Sequence, residues 1–291
     1  MTYTPTDWKD RSVEYPNRFE VGGEQKEILP DHGVVTEEGT PRSAENFNKM
    51  EQGIGDAHDE LDAHVQGIPI SQVPIGNIIV DLNSWQYKDG DNYSGDTVAI
   101  APVRWIKVAQ DHEDWNGATL LSERLIGKYN FDAGNEQAWE TSDIRAWLNS
   151  VFKESLSTAF QGAIKTVTTK TKAGHTDGSA QRTGDDDIFL LSEAEMAGAV
   201  DANDGVDLGY FTDDASRICQ GAHEGAFTDW AYWVRSPNFD HANIVRIVSS
   251  FGGFYHYFHY ADYAYTGVRP ALNFNNATIV NKMGNVWVIT Q

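Results

Sequence analysis

The chain has 291 residues, 40 % of them apolar, and its 43 acidic against 22 basic residues give a net charge of -21. That length holds one large domain plus an appendage, and the acidic balance excludes nucleic acid as a partner and disfavours anionic membranes, because affinity for phosphate rests on Lys and Arg. The single cysteine, Cys219, excludes an intrachain disulfide and a cysteine-based zinc site, and it reads as a small buried hydrophobe.

"MTYTPTDWKD" lacks the basic and apolar regions of a secretory signal. Nothing approaches the ~20 apolar residues needed to span a bilayer, so the expectation is a protein made in the cytoplasm with no membrane insertion. Residues 1 to about 40, rich in Pro, Gly, Glu and Thr, read as extended or loop structure. From Ser43, a candidate N-cap, the residues Phe47, Met50, Ile54, Ala57 and Leu61 recur every three or four positions and predict a helix. Such a seam suits a short coiled coil joining copies of the chain, with a trimer favoured, or an amphipathic helix packed on its own domain. Gly53 and Gly55 each cost that helix about 1 kcal/mol, which argues for dependence on partners. "GIPISQVPIG", with two prolines, reads as a linker, so the expected division is 1–67 and 75–291.

Beyond it, strands are predicted at "GNIIVDL", "TVAIAPVRWIKVAQ" and "ATLLS". One helix is predicted through "ETSDIRAWLNSVFKESLSTAFQGAI", capped by Thr141 or Ser142, with Ile144, Trp147, Leu148, Val151 and Phe152 on its apolar face. "DDDIFLLSEAEMAGAV" reads as a strand entering a short helix. "WAYWVRSP", "NIVRIVSS", "GVRPALNF" and "NVWVIT" are brief strands among long irregular stretches. No tandem repeat and no regular βαβ alternation occurs, so the fold class is α+β, with short antiparallel strands and two or so helices.

Motifs that would declare an enzyme are missing: there is no phosphate-binding Gly loop and no Gly-x-Ser-x-Gly elbow. His256 and His259 lack a third ligand nearby, and Asp185, Asp186 and Asp187 lack the spacing of a helix-loop-helix calcium site. No metal or cofactor is therefore expected. Paired carboxylates for glycoside hydrolysis can come from distant positions, which keeps a carbohydrate-active enzyme or lectin open as the alternative to a non-enzymatic binding protein.

The most unusual stretch is "FYHYFHYADYAY", Phe254 to Tyr265, with seven Phe or Tyr, two His and one Asp. Rings fall at both parities, which a half-buried strand would not show. It is either an aromatic core or a contact surface, and Phe251 and Phe254 are the rings that best fit ordinary core.

The landmarks "VRWIKVA", "ATLLSERLIGKYNF", "WETSDIRAWLNSVF", "DIFLLSEAEM", "YWVRSP" and "GVRPALNF", taken in order, resemble a domain family of gut bacteria and their phages with the C-type lectin, or formylglycine-generating-enzyme-like, fold. "YTPTDWKDR" and "GTPRSAENFNKMEQGI" resemble the opening of phage tail or baseplate structural proteins. The resemblance implies a virion attachment and oligomerisation segment followed by a displayed domain. The enzymatic branch of that fold needs a cysteine pair that Cys219 alone does not supply, and the signatures of calcium-dependent lectins are missing from "DWAYWVRSPN".

The branch that remains comprises variable proteins of diversity-generating retroelements, in which adenines of AAC-rich codons are rewritten. Rewriting AAC while keeping its last base cannot yield Lys, Glu, Gln, Met or Trp, and none of these occurs between Val234 and Asn281. The resemblance thus implies a phage virion protein binding a host-surface protein or glycan through a variable region at about 232–265. Its ligand-binding residues would be Asn238, Phe239, Asp240, His241, Asn243, Tyr255, His256, Tyr257, Phe258, His259, Tyr260, Asp262, Tyr263 and Tyr265. Its frame would comprise Trp233, Arg235, Gly267 and Arg269, flanked by Val234, Pro237, Val268, Pro270 and Leu272, with both arginines anchoring loops. Tyr and Phe suit such a face because two χ angles give large contact area at low entropic cost.

Overall fold

A computed structural model describes residues 18–21, 24–27, 43–65, 67–82, 102–175, 181–197, 202–223, 226–257 and 259–289. The chain divides into two units, Met1–Gln66 and Gly67–Gln291.

In the first unit, strands β1 (Arg18–Val21) and β2 (Glu24–Glu27) pair as an antiparallel hairpin within the stretch read as extended or loop. Residues 1–17 and 28–42 of that stretch lie outside the described residues. Helix α1 (Ala44–Val65) begins where Ser43 Oγ accepts the Asn46 N–H at 3.3 Å, the bond expected of an N-cap. Glu45 and Lys49 pair at 2.8 Å one turn apart. Phe47, Met50 and Ile54 are exposed along the helix, and the side chain of Leu61 lies outside the described residues. Among the described residues no helix is long and apolar enough to cross a membrane.

The second unit is a mixed α+β domain, mostly sheet with a few short helices and no barrel. Its strands in chain order are β3 (Ile68–Pro69), β4 (Ile78–Val80), β5 (Arg104–Gln110), β6 (Gly117–Ser122), β7 (Val167–Thr171), β8 (Arg182–Asp186), β9 (Ile188–Leu190), β10 (Gln220–His223), β11 (Ala226–Asp229), β12 (Tyr232–Pro237), β13 (Val245–Val248), β14 (Phe254–Tyr255), β15 (Pro270–Asn275), β16 (Ile279–Met283) and β17 (Val286–Ile289). Eight form one sheet in the order β3-β16-β17-β4-β5-β6-β15-β9, antiparallel except where β17 lies parallel to β4. A second sheet, β12-β13-β14, carries the candidate site, and β7–β8 and β10–β11 are hairpins.

Two expectations are corrected here. "GIPISQVPIG" is no linker: β3 pairs with β16, while Ile70 and Val73 are buried in the core. The reason is Lys107, whose ammonium group is buried under a 3₁₀ turn over Ile70–Gln72 and donates to the carbonyls of Ile70, Ser71 and Val73 at 2.9, 3.3 and 2.7 Å. A buried charge needs such partners, and they tie the segment down.

The single helix expected through 140–164 is four pieces. A 3₁₀ turn (Trp139–Thr141) leads into α2 (Asp143–Trp147), capped by Ser142, then a π-helical turn (Leu148–Phe152) and α3 (Thr158–Ala163), capped by Ser157. Ile144, Leu148 and Phe152 are buried, but Val151, assigned to the same face, is exposed. Asp81 accepts the Ser157 N–H at 2.8 Å, fixing the break from outside the helix. Phe160 then packs on Trp105 and Phe274 at centroid distances of 5.8 and 4.6 Å, uniting α3 with the main sheet.

Further along, β9 leads into α4 (Glu193–Ala197), and α5 (Asp214–Arg217) starts at a capping box on Asp213 and Ser216.

Candidate ligand-binding face

The site is built on the small sheet. In β12, "YWVRSP" is buried throughout, and its register Tyr232↔Val248 and Trp233↔Ile247 against β13 is carried on to β14 as Ile247↔Tyr255 and Val248↔Phe254. Two loops leave this sheet, 238–244 between β12 and β13, and 256–266 after β14.

The loops are fastened to each other and to the frame mainly by backbone atoms. Ala261 N–H donates to Asn243 O at 2.9 Å, Val245 N–H to His259 O at 3.1 Å, and Asp132 N–H to Ala261 O at 2.9 Å. Trp230 Nε1 donates to Tyr265 O at 3.0 Å, and Tyr129 N–H to Thr266 O at 3.1 Å. The buried side-chain amide of Gln137 points its nitrogen at the carbonyls of Ile244, Asn238 and His241, at 3.1, 2.9 and 2.9 Å, and its oxygen accepts the His175 N–H at 2.7 Å. His175 Nδ1 lies 2.9 Å from Phe239 O.

Held in this way, the tract turns its rings outward. Tyr255, Tyr257, Tyr260, Tyr263 and Tyr265 are 45 to 52 % exposed, and Phe239 is exposed beside Asp240 and His241. Asp262 is exposed, while Asn243, His256 and His259 are half-buried. Ala261 and Thr266 alone point inward from the second loop's far half, which explains why no period of two is visible. Phe258 lies outside the described residues.

Asn238 is a correction. It is only 2 % exposed, its amide donates to His256 O, and its oxygen accepts the N–H groups of Asp240 and His241 at 2.7 and 3.2 Å. It is a brace between the two loops, not a ligand contact. Phe251 is the opposite case: 83 % exposed in the turn between β13 and β14, it is no part of the core. Phe254 is half-buried against the core, with Arg217 4.9 Å above its ring.

Beneath the loops the frame is buried. Arg235 donates to both oxygens of Glu195, to Leu190 O at 2.6 Å and to Lys170 O at 3.1 Å. Arg269 donates to Ser122 O at 3.1 Å, to Arg217 O at 3.3 Å and to Tyr232 Oη at 3.1 Å. Burial pushes the Tyr232 hydroxyl up to about 12, so it stays a neutral donor to Arg217 O. Trp233 Nε1 reaches Tyr129 O at 2.8 Å, and its ring meets His259 edge-on at 6.2 Å. A Cβ at Gly267 would collide with Leu125 and lie 2.9 Å from Ala231 O, so the chain passes there only as glycine.

His256 and His259 are both held below the usual histidine value by burial; Arg246 and Lys172 add to the effect at His256, and the Tyr257 carbonyl opposes it at His259. Burial likewise raises the Cys219 thiol, which is no nucleophile in this setting. Among the described residues no group of three His, Cys, Asp or Glu is placed to hold a metal ion.

Gln137, His175 and Trp230 contribute to the site without having been singled out in the sequence. Trp230 stands in the aromatic run "DWAYW", which could have flagged it, whereas no local pattern marks Gln137 or His175.

Fold and face together define the class of domain: a mixed α+β scaffold displaying two aromatic loops over a frame of buried arginines. Residues 116–276, spanning β6 to β15 and both loops, match the family described as Domain of unknown function (DUF6273), and the chain belongs to that family. No curated protein and no solved structure matches the chain.

Proposed function

We propose that this chain is a phage-encoded, hypervariable receptor-binding protein displayed on the tail or baseplate of the virion. Its second unit would be a C-type-lectin-like domain whose aromatic loops bind a host-surface protein or other ligand and are diversified by a retroelement. The first unit would attach to other virion proteins and join copies, with a trimer favoured. The protein would act by binding and not by catalysis.

The observation that carries this reading is the mode of attachment of "FYHYFHYADYAY". The tract is secured through its main chain, by Asp132, Trp230, Asn243 and Val245, with Tyr129 holding the adjoining Thr266, while its tyrosines face solvent. A surface held in this way keeps its shape when its side chains change, which repeated diversification demands. Tyr and Phe rings concentrate binding energy at the centre of interfaces, and several copies on one particle would turn modest affinity into avidity.

The reading is tested on virions from the strain that encodes the chain. The protein should be detected on purified particles, and virions carrying Tyr257→Ala, Tyr260→Ala and Tyr263→Ala together should assemble normally but adsorb at least about tenfold less well, the loss expected from removing central aromatic contacts. Absence of the chain from virions, or unchanged adsorption, contradicts it.

A further inference from the structure

The charges around the face say what kind of partner it fits. Arg246 is the one Lys or Arg between residues 238 and 265, and it pairs with Glu193. The neighbouring cations are also engaged: Lys172 with Glu193 at 3.7 Å, Arg217 with Asp214, and Lys128 over the Trp230 ring at 3.8 Å from its centroid. The acidic side chains that the loops turn to solvent are Asp240 and Asp262. The chain as a whole carries -21.

Ring geometry points the same way. His259 and Tyr263 meet at 6.0 Å with planes 78° apart, and Tyr263 and Tyr265 at 5.5 Å with planes 68° apart. These rings make corners, not the flat shelf on which a sugar ring stacks. Asp262, exposed, immediately precedes Tyr263 in the chain, and an aromatic face with a carboxylate close by suits a guanidinium or ammonium group, which the ring quadrupole attracts and the carboxylate neutralises.

We infer that the partner of this face is a polypeptide surface presenting Arg or Lys side chains, as against a phosphate-bearing or other anionic glycan. The inference rests on the receptor-binding reading above and names the ligand class that this particular set of side chains selects.

The test uses the full chain and defined probes in a surface-binding assay at physiological salt: a synthetic peptide with four Arg spaced by Ser, the same peptide with Glu for Arg, and polyglycerol phosphate. The Arg peptide should bind and the other two should not. Its affinity should fall about tenfold or more in Asp240→Asn/Asp262→Asn and in Tyr263→Ala/Tyr265→Ala. It should be unchanged in Asp114→Asn/Glu154→Gln, which removes two exposed charges elsewhere on the domain. Binding of polyglycerol phosphate, no binding of the Arg peptide, or equal loss in the distant variant would overturn the inference. If the Arg peptide fails while the tyrosine variants still abolish virion adsorption, the ligand class is wrong and the receptor-binding reading stands; unchanged adsorption overturns that reading itself.

Discussion

Arg235 in β12 and Glu195 in α4 form a two-pronged ion pair at 0 and 1 % exposure, near the end of the strand from which the first loop departs. Burial alone would lower the guanidinium's proton affinity, but the Glu195 carboxylate reverses that and holds it above its ordinary value. The same guanidinium reaches Leu190 O in β9 and Lys170 O in β7, so one side chain ties three strands and a helix together. Removing one partner of a buried pair typically costs about 3–5 kcal/mol, whereas an apolar pair of similar volume can be neutral. Glu195→Gln should therefore lower unfolding stability in urea by roughly that amount, and Arg235→Met/Glu195→Leu should lose less than the single change. Equal or greater loss in the double variant would show that the ion pair itself is what the frame requires.

The tract should tolerate what its frame does not. Tyr257→Ala, Tyr260→Ala and Tyr263→Ala should each change stability by no more than about 1 kcal/mol, as exposed positions do. Asn238→Ala strands the Asp240 and His241 N–H groups and the His256 carbonyl, and should cost about 1–3 kcal/mol. Urea midpoints measured side by side would reveal the contrast, and similar costs at all four positions would refute the division into frame and replaceable rings.

His112 predicts the acid limb of stability. It is buried edge-on against Trp115 at 4.8 Å, its Nε2 has no hydrogen-bond partner among the described residues, and burial holds it below the usual value of 6.5. The unfolded chain therefore takes up this proton first as pH falls, so the stability His112 allows near neutrality is lost progressively below about pH 6.5. His112→Phe keeps the ring and removes the proton. The stability difference between wild type and variant should shift in the variant's favour on acidification, with His256 and His259 common to both; parallel curves would refute the assignment.

Helix α1 exposes Phe47, Met50 and Ile54 at the spacing of a seam. If the seam joins copies, the mass in solution should be three times that of the chain, and Met50→Glu/Ile54→Glu should reduce it to one. Light scattering on the eluted protein decides this, and a wild-type monomer would rule out the seam.

Much of the fold was legible where its causes are local. Ser43 caps its helix as expected, and of the two candidates Thr141 and Ser142 it is Ser142 that caps, though only a short helix; the apolar runs "RWIKVAQ", "ATLLS" and "IFL" are strands because they fill the core sheet. What escaped depends on distant partners. "VTTKT" and "RTGDD" pair as a hairpin although their polar residues suggest loops, and "GIPISQVPIG" is core because of Lys107, more than thirty residues away. Leu148 and Phe152 are buried as their spacing predicts, but nothing local announces that the turn carrying them is π-helical. At the site, composition marked the tract, but in the other loop the polar Asn238 is expected to face a ligand and instead braces the two loops. Gln137 reaches the face from another part of the chain, and nothing in its own neighbourhood announces that.

The most direct test of the account is deep sequencing of the coding locus from one population, together with its flanks. An adenine-variable near-copy of the segment is expected beside a reverse transcriptase gene. Substitutions should be concentrated at the codons of exposed residues such as Phe239, Asp240, Tyr255, Tyr257, Tyr260, Asp262, Tyr263 and Tyr265, with Trp233, Arg235, Asn238, Gly267 and Arg269 constant. A locus without such a copy, or with changes spread evenly over face and frame, would contradict it.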